Sequence, residues 1–150
     1  MARGQYFSEF EVGQVFESGG RTVTEADVVG FAGLSGDYNP LHIDAVFAAK
    51  TPFKRRIAHG MLVASISTGL GQTLGIFEGT TLALVSQTFD YKAPVFFGDT
   101  VHLRLTAQTC TPSKKGGRGI VVFRSEVVKQ DGETAVDGSW TVLFRDESPR

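Results

Sequence analysis

The sequence predicts an α+β domain in which an antiparallel sheet wraps a long central helix. Three observations carry this: residues 60–77 contain no charged side chain, helical patterning is confined to the part of the chain before Thr80, and everything after Thr80 runs in strand-like segments. A helix with no charged face has to be buried on nearly every side. In a chain of 150 residues, long enough as one domain (1–150) to bury roughly 68–70% of its unfolded surface, only a curling sheet can do that.

Each element follows in order. Residues 1–20 carry scattered apolar positions (Phe7, Phe10, Val12, Val15, Phe16) and end in Ser18-Gly19-Gly20, which predicts an edge strand or extended arm and a turn. No apolar export segment opens the chain. Thr24 reads as a helix N-cap with Glu25 and Asp27 in the first turn; Val28, Phe31 and Ala32 follow at helical spacing, and Gly33 and Gly36 stop the helix. Asp37-Tyr38-Asn39-Pro40 is turn chemistry, and Asp44 to Lys50 can form another short helix closed by Thr51-Pro52. The long helix is expected from about Ala58-His59-Gly60 to about Gly75. Ser65, Ser67, Thr68, Gln72, Thr73 and four glycines make residues 60–77 too polar for a membrane span.

Val101, Leu103, Leu105 and Ala107 alternate with polar residues, as do Val136, Trp140, Val142 and Phe144, so both runs read as half-buried strands. Leu82 to Tyr91 and Ile120 to Val128 are expected to be strands buried on more of their surface. Turn signals at Pro94, Gly98-Asp99, Gly116-Gly117 and Asp131-Gly132 then predict an antiparallel meander.

Charge and cysteine content exclude several functions. With 15 basic and 16 acidic residues, nothing draws the chain to nucleic acid or an anionic membrane, and neither is an expected partner. Cys110 alone makes neither an internal disulfide nor a thiolate metal site, which fits a reducing compartment and makes the cytoplasm the expected location. Gly33-Leu34-Ser35-Gly36 is not a nucleophile elbow, and Gly69 to Gly75 misses the dinucleotide fingerprint, so these helix glycines are read as close packing. His42, His59 and His102 show no ligand spacing, and no metal is expected.

Three stretches could carry chemistry. Asp37 and His42 lie either side of a proline turn, where a carboxylate and an imidazole could share a proton; equally, Asp37 could cap the turn while His42 satisfies a backbone group. Ile57-Ala58-His59-Gly60-Met61 puts the first amides of a helix beside a residue with no side chain, which suits an oxyanion or, alternatively, lets the helix pass close under a strand. Lys114, Lys115 and Arg118 surround Gly116-Gly117 and could receive phosphates or simply form a solvated hairpin tip.

Phe31 to Asp44, with the core Gly36-Asp37-Tyr38-Asn39-Pro40-Leu41-His42, then Phe47-Ala48, Thr51, Phe53 and Ile57 to Leu62, closely resembles the signature of the MaoC-like (R)-specific enoyl-CoA hydratases. Tyr91 to Val95 and Gly98 to Val101 resemble that family's later strand and turn. The resemblance implies a single hot-dog domain and a homodimer or higher homo-oligomer with active sites at the subunit interface. It also implies reversible hydration of a trans-2-enoyl-CoA to the (R)-3-hydroxyacyl-CoA, with the thioester as substrate and no cofactor. Asp37 and His42 would hold the water and share the acid and base roles, the Gly60 amide would polarise the thioester carbonyl, and Asn39 would orient the histidine or its loop. Where relatives carry a serine in the helix this chain has Thr68, with Ser65 nearby as a substitute; Lys92 joins Lys114, Lys115 and Arg118 among the expected substrate-binding residues. Other activities open to such a domain are acyl-CoA sensing without catalysis, thioester hydrolysis, and dehydration of branched or dicarboxylic (mesaconyl-type) acyl-CoA.

Overall fold

The computed structural model describes residues 4–146. A short 3-10 turn at Phe7–Glu9 leads into β1 (Val15–Glu17) and β2 (Arg21–Thr22), followed by α1 (Glu25–Ser35), α2 (Pro40–Ile43), α3 (Ala45–Ala48) and α4 (Gly60–Thr73). Four long strands complete the chain: β3 (Thr81–Tyr91), β4 (Thr100–Pro112), β5 (Arg118–Lys129) and β6 (Thr134–Arg145). All strands belong to one antiparallel sheet of order β1-β4-β5-β6-β3, with β2 also paired to β4.

Local chemistry explains the helix boundaries. Thr24 Oγ1 accepts from the Asp27 amide while Asp27 Oδ2 accepts from the Thr24 amide, a reciprocal cap that starts α1. Gly36 ends it with φ 77°, a left-handed conformation that favours glycine; Gly33 does not stop the helix but lies inside it. Between Asn39 and Asp44, where a plain turn was expected, Pro40 opens the short helix α2 with its fixed φ. Asp44 then caps α3 by accepting from the Phe47 amide.

The core lies between α4 and the concave face of the sheet. Leu62, Val63, Ile66 and Leu70 of α4 pack against Leu103 and Leu105 of β4, Val121, Phe123 and Val127 of β5, and Trp140 and Val142 of β6, all of them buried. Each such aliphatic side chain contributes about 1.5–3 kcal/mol on burial. Gly71 is required by this packing, because a Cβ there would sit 2.9 Å from the Trp140 ring. Gly69 meets nothing and has no such role. Phe10, Phe77, Phe123 and Phe144 fill one end of the core, with Phe10 and Phe144 centroids 4.6 Å apart and Phe77 and Phe144 5.8 Å apart.

Three expectations need correction. The meander holds only for β4-β5-β6; β3 crosses to the far side and pairs with β6, so the chain runs from one sheet edge towards the other between β3 and β4. β3 is not a buried strand: Leu82, Leu84 and Val85 are exposed because only one neighbour covers this edge. Finally, the sheet wraps α4 but does not bury it on every side within one chain. Met61, Ser65, Thr68 and Gln72, spaced to share one helix face, form an uncharged stripe open to solvent.

Candidate active site

Four segments meet at the start of α4. The Ile57–Gly60 strand-like approach is held by the Ala58 amide donating to the Val95 carbonyl at 2.8 Å and by an antiparallel bridge from Ile57 to Phe96. The 94–99 turn is in turn fixed by a buried ion pair, Lys129 Nζ to Asp99 Oδ2 at 3.2 Å, with Lys129 also donating to the Pro94 carbonyl and Gln130 donating to Asp99 Oδ1 at 2.8 Å. Burial pushes the Asp99 carboxyl up, but the Phe96 amide, Gln130 and Lys129 outweigh it and hold it below the usual carboxylate range. Burial likewise pulls Lys129 down, and Asp99 with Glu133 overcomes this and leaves it raised.

On this base sit Asp37, His42 and His59, one potential ligand atom of each lying within 4.8 Å of the others. His42 is 8% exposed and its Nδ1 lies 2.8 Å from the Ile57 carbonyl. A carbonyl only accepts, so Nδ1 carries a proton in this bond and Nε2 is left uncommitted to it. His59 is buried, donates from Nε2 to the Asp37 backbone carbonyl at 2.9 Å, and stacks on His42 with centroids 3.8 Å apart and planes 27° from parallel. Phe31 packs on the other side of His59, 5.0 Å between centroids. His59 therefore holds both members of the pair: it fixes the backbone of Asp37 and supports the ring of His42.

Asp37 is exposed, its amide donates to Ser35 Oγ and its Oδ1 accepts from the Asn39 amide at 3.2 Å. Asn39 Oδ1 accepts from the Leu41 amide and caps α2, so Asn39 orients the loop, not the imidazole. Gly60 opens α4 with His59 at the N-cap position, and as the first helical residue its amide has no intrahelical acceptor. A Cβ on Gly60 would lie 2.8 Å from the Tyr91 ring, so the glycine lets Tyr91 close over the helix start.

A cavity of about 660 Å³ opens here, lined by Phe53, Ile57, Gly60, Met61, Tyr91 and Lys92 among others. Gly60 and Lys92 thus share one cavity, while Asp37 and His42 stand beside it behind Ile57 and His59. Ser65 and Thr68 are elsewhere. Their hydroxyls donate back to the Met61 and Ser65 carbonyls, and they line separate cavities on the open stripe of α4, of about 300 and 210 Å³. Thr81 Oγ1, Gln87 Nε2 and Trp140 Nε1, buried without a partner among the described residues, belong to residues lining the second.

Lys114, Lys115 and Arg118 are at the other end of the sheet. Leu103, level with Val127 and Val136 near the cavity, is separated from Pro112 at the hairpin by about 30 Å of strand at about 3.3 Å per residue. Within one protomer these cations thus lie about nine strand residues along β4 from the cavity. Reasoning from the sequence missed the supporting roles of His59, Phe31 and Tyr91; only the Ala58-His59-Gly60 segment, read for its amides, pointed near them.

Fold and site together define a hot-dog domain with Asp37, His42 and His59 grouped at the start of its central helix. The chain matches the MaoC like domain over residues 8–129 and belongs to that family. It is 40% identical over 139 residues to the (R)-specific enoyl-CoA hydratase of Rhodospirillum rubrum, covering 92% of this chain and 90% of the relative. To the 3-hydroxybutyryl-CoA dehydratase of Methylorubrum extorquens it is 38% identical over 133 residues, covering 87% and 82% respectively. Among solved structures, one described as a monoamine oxidase regulatory protein of Archaeoglobus fulgius superposes with a TM-score of 0.90 at 32% identity over 98% of both chains. A double-hotdog protein of Mycobacterium tuberculosis, at TM-score 0.75 and 20% identity over 98% of this chain and 47% of that one, shares the fold. Among the described residues no helix is long and apolar enough to cross a membrane.

Proposed function

We propose that the protein is an (R)-specific enoyl-CoA hydratase acting through Asp37, His42 and the Gly60 amide. The observation that carries this reading is the fixed orientation of His42: with Nδ1–H committed to Ile57, its Nε2 lone pair and the exposed Asp37 carboxylate can hold one water between them. One member of the pair takes a proton from that water as its oxygen bonds to C3, that same proton is delivered to C2 directly or through the other member, and the double bond becomes single. The Gly60 amide stabilises the enolate-like charge on the thioester oxygen, an interaction worth about 3–4 kcal/mol for one donor in comparable sites. Adding water needs no cofactor or metal. The hydratase and dehydratase names of the relatives describe the same reaction in its two directions.

The active unit is a homodimer formed through the β3 edge and the uncharged stripe of α4. Exposed Leu82, Leu84, Val85, Met61 and Tyr91 support this, as do the apolar Leu34, Val46 and Phe47 around the pair, all exposed on one chain. Ser65 and Thr68 lie on that stripe and reach substrate across the interface. The single cysteine fits work in the cytoplasm. The test is to follow the enoyl absorbance of crotonyl-CoA and determine the stereochemistry of the product. Formation of (R)-3-hydroxybutyryl-CoA is expected; release of free thiol instead would identify a thioesterase, and binding without turnover a sensing module.

A further inference from the structure

The segment joining α3 to α4 holds a run of cations that the proposed chemistry does not use. Phe53 and Ile57 line the 660 Å³ cavity, whereas the three residues between them, Lys54, Arg55 and Arg56, line an adjoining notch of about 390 Å³ with Glu25, Ala45 and Phe97. Cavity and notch are therefore lined by consecutive residues of one segment.

The notch is built rather than incidental. The Arg55 guanidinium carbon lies over the Phe96 ring, 3.8 Å from its centroid, so the charge rests on an aromatic face. Arg56 is 4.9 Å over Phe97, donates from Nε to the His42 carbonyl at 2.8 Å and pairs with Glu25, which ties the notch directly to the histidine of the active pair. Lys54 adopts φ 63°, the only positive value at a non-glycine residue among the described residues. A lysine held there costs on the order of 1 kcal/mol relative to a relaxed backbone, a strain usually found at ligand sites. Glu25 offsets Arg56, but among the described residues neither Lys54 nor Arg55 has a carboxylate partner. Two positive charges without a carboxylate partner among the described residues thus line the notch, with Lys92 in the neighbouring, largely apolar cavity.

We propose that Lys54 and Arg55, supported by Arg56, receive the phosphates of coenzyme A while the acyl-pantetheine arm enters the neighbouring cavity. The chain from Lys54 to Gly60 can span at most about 20 Å, a reach compatible with an extended pantetheine arm between a phosphate at the notch and a thioester at the Gly60 amide. A small concave notch fits a compact dianion better than the flat acidic surface of a carrier protein, so free coenzyme A is the favoured source of the phosphate. The substrate identity rests on the hydratase reading; the anion site does not.

The test compares crotonyl-CoA with S-crotonyl-N-acetylcysteamine, which carries no phosphate, in the wild type, in Lys54→Gln/Arg55→Gln and in Lys54→Gly. The glycine variant removes the charge while relaxing the backbone, so its folding is safe. For crotonyl-CoA, KM should rise at least tenfold in the double variant and several-fold in Lys54→Gly, with kcat within twofold, and the gap should narrow as salt is added. The N-acetylcysteamine thioester should lose less than twofold in kcat/KM. Calorimetric titration with coenzyme A alone should show at least tenfold weaker binding to the double variant, and this measurement stands even if no enoyl thioester is turned over, so failure of the hydratase reading is told apart from failure of the site. An unchanged KM and coenzyme A affinity, an equal loss on both thioesters, a loss confined to an acyl-carrier-protein substrate, or a CoA-specific KM rise in Lys114→Gln/Lys115→Gln/Arg118→Gln with none in the notch would each overturn the proposal.

Discussion

The wall formed by β4, β5 and β6 and the side formed by β3 with the outer stripe of α4 are built from similar residues and end in opposite environments. Val101, Leu103 and Leu105 on β4 are fully covered by α4 and by neighbouring strands on both edges; Leu82, Leu84 and Val85 on β3 are exposed. Buried polar atoms follow this division only in part, since Trp140 Nε1 and Arg145 Nε of β6 itself lack partners among the described residues. Lys129 and Asp99 behind the wall are bonded several times over, whereas Thr81, Gln87 and Trp140 beside the open side each keep a buried atom without a partner among the described residues. An unpaired buried polar group costs about 1–3 kcal/mol. The apolar residues of the wall are thus covered within one chain, whereas β3 and the outer stripe of α4 leave an uncharged surface exposed.

Five measurements break or sharpen this contrast. The largest effect is expected at the open side: Asp37→Asn and His42→Gln should each lower crotonyl-CoA turnover by about 10²–10⁴-fold. Asp37→Asn should leave the unfolding midpoint in urea near the wild type because that side chain is exposed, whereas His42→Gln should lower it by the lost bond to the Ile57 carbonyl. Phe144→Ala should do the reverse, costing about 3–5 kcal/mol of stability in denaturant unfolding through the cavity left among Phe10, Phe77 and Phe123. Val85→Lys, at an exposed β3 position, should halve the mass seen in sedimentation and remove most activity while far-UV circular dichroism is preserved. If the sedimenting mass does not change, the dimer is formed elsewhere. Gly71→Ala should cost about 1–3 kcal/mol, because its methyl group has to displace the Trp140 ring.

The smallest effect is in the pH dependence of stability. Asp27 is held below the usual carboxylate range chiefly by the Thr24 amide, Asp137 chiefly by Arg124, and Asp99 by the bonds that outweigh its burial. A folded-state value below the unfolded one adds stability that is fully present above the unfolded value of about 4 and is lost as pH falls through the folded value. Unfolding midpoints should therefore be flat near neutrality and drop below about pH 4, and Asp99→Asn should flatten the acid limb while lowering the plateau.

Much of this was legible in residues alone. Thr24 and Gly36 bracket α1 because capping chemistry is local, and the alternation in Val101–Ala107 and Val136–Phe144 marks the wall because each strand there has one face on the core. The same logic failed for β3, whose apolar residues read as buried although no second neighbour exists in the chain to bury them. Asp37, His42 and Gly60 were legible as a motif, but not the support that gives them roles: the tautomer of His42 depends on the Ile57 carbonyl, and its ring position on His59. Lys54 to Arg56 went unnoticed because a charge run in a sequence looks like any solvated surface until Phe96 and Phe97 are found beneath it.

By itself, the sequence determined the element types, their caps and the apolar faces, since these follow from spacing and from the conformational preferences of single residues. Tertiary structure alone decided the crossing of β3 to the β6 edge, the stack of His59 on His42 and the distance of the Lys114 hairpin from the cavity. Those depend on which distant segments the sheet brings side by side, and no periodicity along the chain encodes that.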